Sequence, residues 1–225
     1  AAQVGQRPNT EFVYAIPTTG ERPIQFTVSG LPEGLRVDAN SGIIRGIAPA
    51  KGRYTINVTA TNKQGSSQYA FNLVCGDTLC YTPPMGWNSW NVFAKNIDEK
   101  LLLEIADAMV KNGMRDVGYQ YINIDDYWHA EARDSAGNPV PDPVKFPNGI
   151  GYVAEQLHQR GLRLGIYSDA GTKTCGKCFG SYGFETIDAS AYARWKVDLL
   201  KYDFCFVPWK KKEALSRYQA MGKEI

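Results

Sequence analysis

Apolar positions in the first third of the chain alternate with polar ones. Ile24, Phe26 and Val28 form one such run, Tyr54, Ile56, Val58 and Ala60 a second, and Tyr69, Phe71 and Leu73 a third. A period of two over short runs is the signature of strands that bury one face. Gly30, Pro32, Gly34, Gly42, Gly46, Gly52 and Gly65 punctuate these runs, so the segment reads as antiparallel strands joined by tight turns. About 70 residues of this kind predict a small all-β sandwich.

Beyond residue 80 the rhythm lengthens. A helix pattern runs from an Asp98 N-cap through Leu101, Leu102, Ile105, Met109 and Val110 to a stop at Gly113. YINIDD (121–126) reads as a buried strand ending in acids. A second helix carries Val153, Leu157 and His158 and stops at Gly161, and LRLGIYSD (162–169) is the next strand. A third helix is expected over about 189–195, the strand VDLLKYD over 197–203, and a fourth helix from about Lys211 to Met221. With MGWNSW (85–90) as the first strand, four βα units follow one another, the pattern of a parallel sheet. The expected domains are therefore a β-sandwich module over residues 1–80 and an α/β segment over 81–225.

The unit count bounds the architecture. A closed eight-unit barrel takes about 250 residues, whereas Pro84 to Ile225 leaves 142. The expected fold class is multi-domain, a small all-β sandwich followed by the first four βα units of a (β/α)8 TIM barrel, incomplete in this chain. An open half-barrel exposes two unpaired strand edges, a geometry that invites self-association.

Composition removes several alternatives. With 44% hydrophobic residues the chain can build a core, which excludes a disordered reading. Twenty-five basic residues against 23 acidic ones, scattered apart from Lys210–Lys212, create no field that asks for nucleic acid or an anionic membrane. No apolar run approaches the roughly 18 to 20 residues of a membrane span. The opening residues AAQVGQRPNT lack the order of a signal peptide, so any secretion signal is expected to have been removed. The sandwich has no His and no Cys before Cys75, which argues against catalysis there.

Candidate chemistry sits at the strand ends. Strand one finishes with Trp87, Asn88 and Trp90; strand two with Asp125, Asp126, Tyr127 and Trp128; strand three with Tyr167, Ser168 and Asp169; strand four with Lys201, Tyr202 and Asp203. Parallel barrels gather their reacting side chains at one such mouth. Aromatic rings stack on a pyranose while carboxylates accept from its hydroxyls, so this combination describes a sugar site. Helix capping explains one such strand end more simply, but not four strands in a row that end in polar and aromatic residues. Lys201 and Asp203 are two apart and share a face, and a cation beside a carboxylate favours its ionised form. An ionised Asp in a sugar pocket can attack the anomeric carbon, as the nucleophile of a retaining glycosidase does. A structural Lys–Asp pair fits these two residues alone equally well; their place at the mouth favours catalysis.

Two resemblances now become visible. FTVSGLPEGLRVDANSGIIRGIAPAKGRYTINVTATNKQG (26–65) resembles the immunoglobulin-like modules attached to bacterial surface and secreted enzymes, which implies a spacer or docking role. TPPMGWNSWN (82–91), YINIDDYW (121–128), LGIYSDAGTKTC (164–175) and VDLLKYDFC (197–205) together resemble the α-galactosidase family called melibiases, glycoside hydrolase family 27. That resemblance covers about residues 81–225. It implies a (β/α)8 barrel and hydrolysis of terminal α-linked galactose with retention, on a galactose-containing oligosaccharide or glycoconjugate. By position it places the nucleophile on Asp203, the acids holding galactose hydroxyls on Asp125 and Asp126, and a hydroxyl-contacting lysine on Lys201. Trp90 and Tyr167 match pocket-lining aromatics, and Cys175 a pocket-edge cysteine paired with Cys205. It implies neither metal nor cofactor. The family's acid/base Asp falls on a later strand, so these 225 residues alone are expected to be inactive. The alternative is a non-catalytic carbohydrate-binding or structural half-barrel.

Five cysteines leave at least one unpaired within the chain. A Cys175–Cys205 bridge is reasonable at neighbouring strand ends and agrees with the resemblance, while Cys75 and Cys80 are expected to close a small loop around GDTL at the domain junction. Cys175-Gly176-Lys177-Cys178 also invites a zinc reading, but no second pair at matching spacing completes four ligands. Bridges imply an oxidising compartment, periplasmic or extracellular. His158 reads as surface or packing, and His129 as packing or a substrate contact beside Trp128.

Overall fold

In the computed structural model, which describes residues 2–225, the alternating runs become β1 (Ala2–Gln6), β2 (Glu11–Ala15), β3 (Gln25–Ser29), β4 (Leu35–Val37), β5 (Ile43–Ile47), β6 (Gly52–Asn62) and β7 (Gly65–Cys75). They sort into two sheets, ordered β1-β7-β6-β3 and β2-β5-β4. Phe12, Phe26, Ile44, Ile56, Phe71 and Leu73 fill the space between them. The long β6–β7 hairpin closes at the Asn62–Gly65 pair, leaving Lys63 and Gln64 as a two-residue turn, with the Gln64 N–H donating to Asn62 Oδ1 at 2.9 Å.

Two expectations change here. The pairing is not antiparallel throughout, because β1 runs parallel to β7, Ala2 opposite Phe71 and Gln6 opposite Cys75. The alternation pattern of β1 was too short to specify direction; backbone pairing along β7, with Val4 packed on the core, decides it. The Cys75–Cys80 bridge does not form: both thiols are free, Cys75 buried and Cys80 exposed. The same period of two that buries Phe71 and Leu73 turns Cys75 inward to the core, where burial pushes its thiol pKa up.

The described residues divide into two units, one holding the residues up to 86 with 108–120 and 160–162, the other 87–107, 121–159 and 163–225. The second contains β8 (Gly86–Asn88) apart from its first residue, β9 (Tyr121–Asn123), β10 (Arg163–Asp169) and β11 (Leu199–Asp203), which lie side by side in chain order. β10 pairs in parallel with β9, Gly165 opposite Asn123, and with β11, Tyr167 opposite Lys201 and Asp169 opposite Asp203. The helices are α1 (Trp90–Phe93), α2 (Glu99–Lys111), α3 (Ile150–Gln159), α4 (Glu185–Arg194) and α5 (Lys211–Glu224). Asp98 caps α2 through Oδ1, which accepts the Leu101 N–H at 2.7 Å, and Leu102, Ala106 and Met109 form its buried stripe. His158 on α3 is packing rather than surface: its Nε2 lies 2.8 Å from Asp198 Oδ2, which also accepts the Leu164 N–H.

Three elements depart from the expected bounds. β8 ends at Asn88, and Trp90 opens a short helix instead of closing the strand. β9 ends at Asn123: the Ile124 N–H still donates to the Gly165 carbonyl oxygen of β10 at 2.9 Å, but the amides after it turn to side chains, Asp125 N–H to Ser89 Oγ, Asp126 N–H to Asp125 Oδ1 and Tyr127 N–H to Asp126 Oδ1. α4 begins at Glu185, ahead of its apolar residues, because the inward Asp188 is neutralised by Arg133 in a bidentate pair at 2.5 and 2.7 Å.

The sandwich offers a direct check on chain direction at close approach. Gly46 has φ +143°, and a Cβ there would overlap the Gly34 carbonyl oxygen of the neighbouring segment. Gly46→Ala is expected to cost more than about 1 kcal/mol. Urea unfolding should show a lower midpoint at unchanged slope; a midpoint equal to that of the parent protein would contradict this packing.

Candidate active site

Parallel register puts the carboxyl-terminal ends of β9, β10 and β11 on one edge, and the polar residues expected at the strand ends gather there. Asp125, 2% exposed, is the most heavily bonded of them. Its Oδ2 accepts from Lys201 Nζ at 2.6 Å and from Asn88 Nδ2 at 2.9 Å, and its Oδ1 from the Asp126 N–H. The Lys201 ammonium therefore reaches across the sheet instead of along its own strand. This corrects the sequence expectation that Lys201 serves Asp203: the two do share a face, but Asp125 is the carboxylate that pairs with the cation.

Asp203 has other partners. The Tyr167 hydroxyl donates to its Oδ2 at 3.0 Å, the Phe204 N–H donates to its Oδ1 at 2.9 Å, and Cys175 Sγ lies 3.7 Å from Oδ2. Burial, and then the negative charge and hydrogen bond of Asp203, push the Tyr167 hydroxyl pKa far up, so it stays a donor. Lys201 Nζ also sits 5.2 Å from the Tyr167 ring centroid.

Asp126, 1% exposed, accepts the Gly176 N–H on Oδ2 at 2.6 Å and the Tyr127 N–H on Oδ1 at 2.8 Å. A Cβ on Gly176 would lie 2.7 Å from Asp126 Oδ2, so glycine is what admits the backbone to this carboxylate. The disulfide Cys175–Cys205, with Cα atoms 5.2 Å apart, ties together the loops that follow β10 and β11. Beneath it Asp169, wholly buried, accepts the Gly171 N–H at 2.6 Å and the Cys205 N–H at 2.9 Å. Burial raises the Asp169 pKa, opposed by those two hydrogen bonds. Trp90 stacks on Tyr127 with ring centroids 6.2 Å apart and planes within 2°, an aromatic platform beside the acids.

The site thus brings together Trp90, Asp125, Asp126, Tyr167, Cys175, Lys201 and Asp203 around one sheet edge. Sequence reasoning placed Asn88 and Asp169 among the strand-end residues but gave them no role, and it did not single out Ser89 and Gly176. Their signals were slight: a polar pair after a short strand, an acid among several, and a glycine between two cysteines. Arrangement of this kind, with one cation among four acids and flat rings alongside, suits a polyhydroxylated neutral ligand.

Known proteins match both parts of the chain. The model of the family described as Alpha galactosidase A (Melibiase_2) matches residues 82–225, and that of a candidate Ig domain (He_PIG) matches residues 1–75. The alpha-galactosidase of Coffea arabica is 54% identical over 142 residues, covering 63% of this chain and 38% of that protein. A Bacteroides fragilis protein described as a candidate alpha-galactosidase superposes with a TM-score of 0.97 at 51% identity, covering 100% of this chain and 48% of its own. The Saccharomyces cerevisiae alpha-galactosidase solved with raffinose gives a TM-score of 0.62 at 44% identity, covering 64% of this chain and 32% of its own. The chain spans less than half the length of these relatives.

His129, beside the acids, carries a consequence for acid stability. Its pKa falls to about 3, first through burial and then through the charges of Arg133 and Lys145. The unfolded imidazole takes up its proton near pH 6.5 while the folded one does not, so this stabilisation is complete above pH 6.5 and is lost as pH falls toward 3. The loss amounts to about 2 kcal/mol by pH 5. His129→Phe is expected to remove that increment, measured as the difference in unfolding free energy between pH 7 and pH 5. Identical pH dependence in the two proteins would count against a neutral buried imidazole.

Proposed function

Because this chain belongs to the Melibiase_2 family, described as Alpha galactosidase A, we propose that residues 81–225 form the first four βα units of a (β/α)8 barrel that releases terminal α-linked galactose with retention of configuration. The observation that carries the proposal is Asp203 at the end of β11, both oxygens hydrogen-bonded, on the same sheet edge as the buried acids Asp125, which accepts from Lys201, and Asp126. Residues 1–80 are an appended Ig-like module acting as spacer or docking surface.

In this reading Asp203 attacks the anomeric carbon and becomes glycosylated, and water later releases the sugar. The Tyr167 hydroxyl and the Phe204 N–H hold the carboxylate in one orientation, so that a lone pair meets the sugar without rotameric search. Asp125 and Asp126 accept galactose hydroxyls, and Lys201, already bonded to Asp125, donates to a ring hydroxyl. Trp90 and Tyr167 wall the pyranose, and Cys175 with its bridge to Cys205 forms the rim. Retaining hydrolysis also needs a second carboxyl about 5 to 5.5 Å from the nucleophile, to protonate the leaving group. We assign it to a later strand of the full-length protein, not to any of these 225 residues. The reaction needs no cofactor or metal.

Substrates are galactose-containing oligosaccharides or glycoconjugates; raffinose, seen in the Saccharomyces cerevisiae structure, is one candidate. The Cys175–Cys205 bridge supports a periplasmic or extracellular location. No helix of the described residues is long and apolar enough to cross a membrane. The outer strands β8 and β11 each have one sheet neighbour, which supports association through these edges, with the remainder of the barrel or with a second copy.

Asp203→Asn in the full-length enzyme is expected to lower kcat by about 10^3-fold or more while galactose affinity stays nearly unchanged. A fluorinated inactivator, followed by peptide mapping, should label Asp203, and an adduct on another side chain would falsify the assignment. The 225 residues by themselves are expected to show no turnover on an aryl α-galactoside; measured hydrolysis by the purified portion would place the acid/base within it.

A further inference from the structure

We propose that Asp126, His129 and Cys178 form a binding site for a borderline-soft divalent cation of the zinc class. One carboxylate oxygen, one ring nitrogen and one sulfur from these residues lie within 4.8 Å of one another. His129 Nδ1 is 3.8 Å from Asp126 Oδ1. Ligand atoms around a tetrahedral zinc ion stand about 3.3 to 3.8 Å apart, so closing the site requires shifts of no more than about 1 Å.

The histidine is the independent indication. It is 5% exposed, and neither ring nitrogen has a hydrogen-bond partner among the described residues. Two orphaned polar atoms at that depth are costly, and a metal on Nδ1 would satisfy one of them. The ring is already oriented, stacked on Trp128 at 4.0 Å and edge-on to Phe179 at 4.7 Å.

Cys178 belongs to no disulfide, and its backbone is fixed by the N–H donating to Thr174 Oγ1 at 3.0 Å. Sulfur, imidazole and carboxylate together suit zinc or cobalt, whereas magnesium and calcium ask for oxygen alone. The other sulfur-containing group of acids, at Asp169 and Asp203, has both its sulfurs joined to each other and is no competitor. Nearby cations are committed elsewhere: Arg133 to Asp188, and Lys145 Nζ to the carbonyl oxygens of Lys95 and Tyr127. On binding, the Cys178 S–H bond breaks, its electron pair goes to the metal and the proton leaves to solvent, with no change of oxidation state.

A consequence rests on the reading of Asp126 as a galactose ligand: a metal that draws this carboxylate competes with the sugar. Cobalt(II) is the probe for the site in the full-length protein. A thiolate-to-cobalt charge-transfer band should saturate at one equivalent, bleach on adding zinc, vanish in Cys178→Ser, and need about tenfold more cobalt or higher in His129→Gln. Absence of the band in the parent protein, or its survival in Cys178→Ser, overturns the site. Should Cys178→Ser fail to fold, zinc is expected to protect Cys178 of the parent protein from alkylation in peptide maps, and equal labelling with and without zinc overturns it as well. Zinc should also raise KM for an aryl α-galactoside in the parent enzyme at unchanged kcat. A cobalt band without any change in KM upholds the metal site and removes Asp126 from galactose binding.

Discussion

The parallel pairing of β10 between β9 and β11 is the constraint on which the site depends. Every residue of β10 is buried, so the strand has one register and no freedom to slide. From that fixed strand the Tyr167 hydroxyl reaches Asp203, the Tyr167 carbonyl accepts Trp128 Nε1–H at 2.8 Å, and Asp169 accepts two backbone amides from the following loops. A one-residue slip would turn Tyr167 and Asp169 to the opposite face and dissolve all of these contacts together.

One buried charge pair inside this unit is tied into a hydrogen-bond network. Arg133 and Asp188 neutralise one another, and the chain continues through Ser181 Oγ at 2.6 Å to Ser168 Oγ at 2.6 Å, linking α4 to β10. Such a pair adds little net stability compared with apolar packing, yet removing one partner leaves a buried charge. Its effect is to fix where α4 begins and how it approaches the sheet. The acids at the strand ends follow a related logic, each accepting hydrogen bonds from backbone amides or neighbouring side chains.

Much of this was legible beforehand, for identifiable reasons. The sandwich strands β6 and β7 followed from strict alternation, and α2 from the Asp98 cap with its apolar stripe. Strand-end acids were legible because near-continuous apolar runs ended abruptly in polar residues, as in YINIDD. The early start of α4 was not, since its inward residue is an aspartate whose partner lies 55 positions away. Nor was the inward turn of Cys75, because a cysteine after an alternating strand satisfies a core position and a disulfide equally well. The direction of β1 was hidden in a run with a single strong apolar position.

By itself the sequence determined the element types, the change from period two to helical period near residue 80, and the set of side chains that could do chemistry, since all of these are properties of neighbours along the chain. Only the tertiary structure decided which of those side chains touch. Lys201 and Asp203 are two positions apart, yet the lysine pairs with Asp125, 76 positions away, at 2.6 Å. The physical reason is that charge pairing depends on distance through space, and parallel register places the end of β11 and the loop after β9 on one edge whatever their separation in the chain.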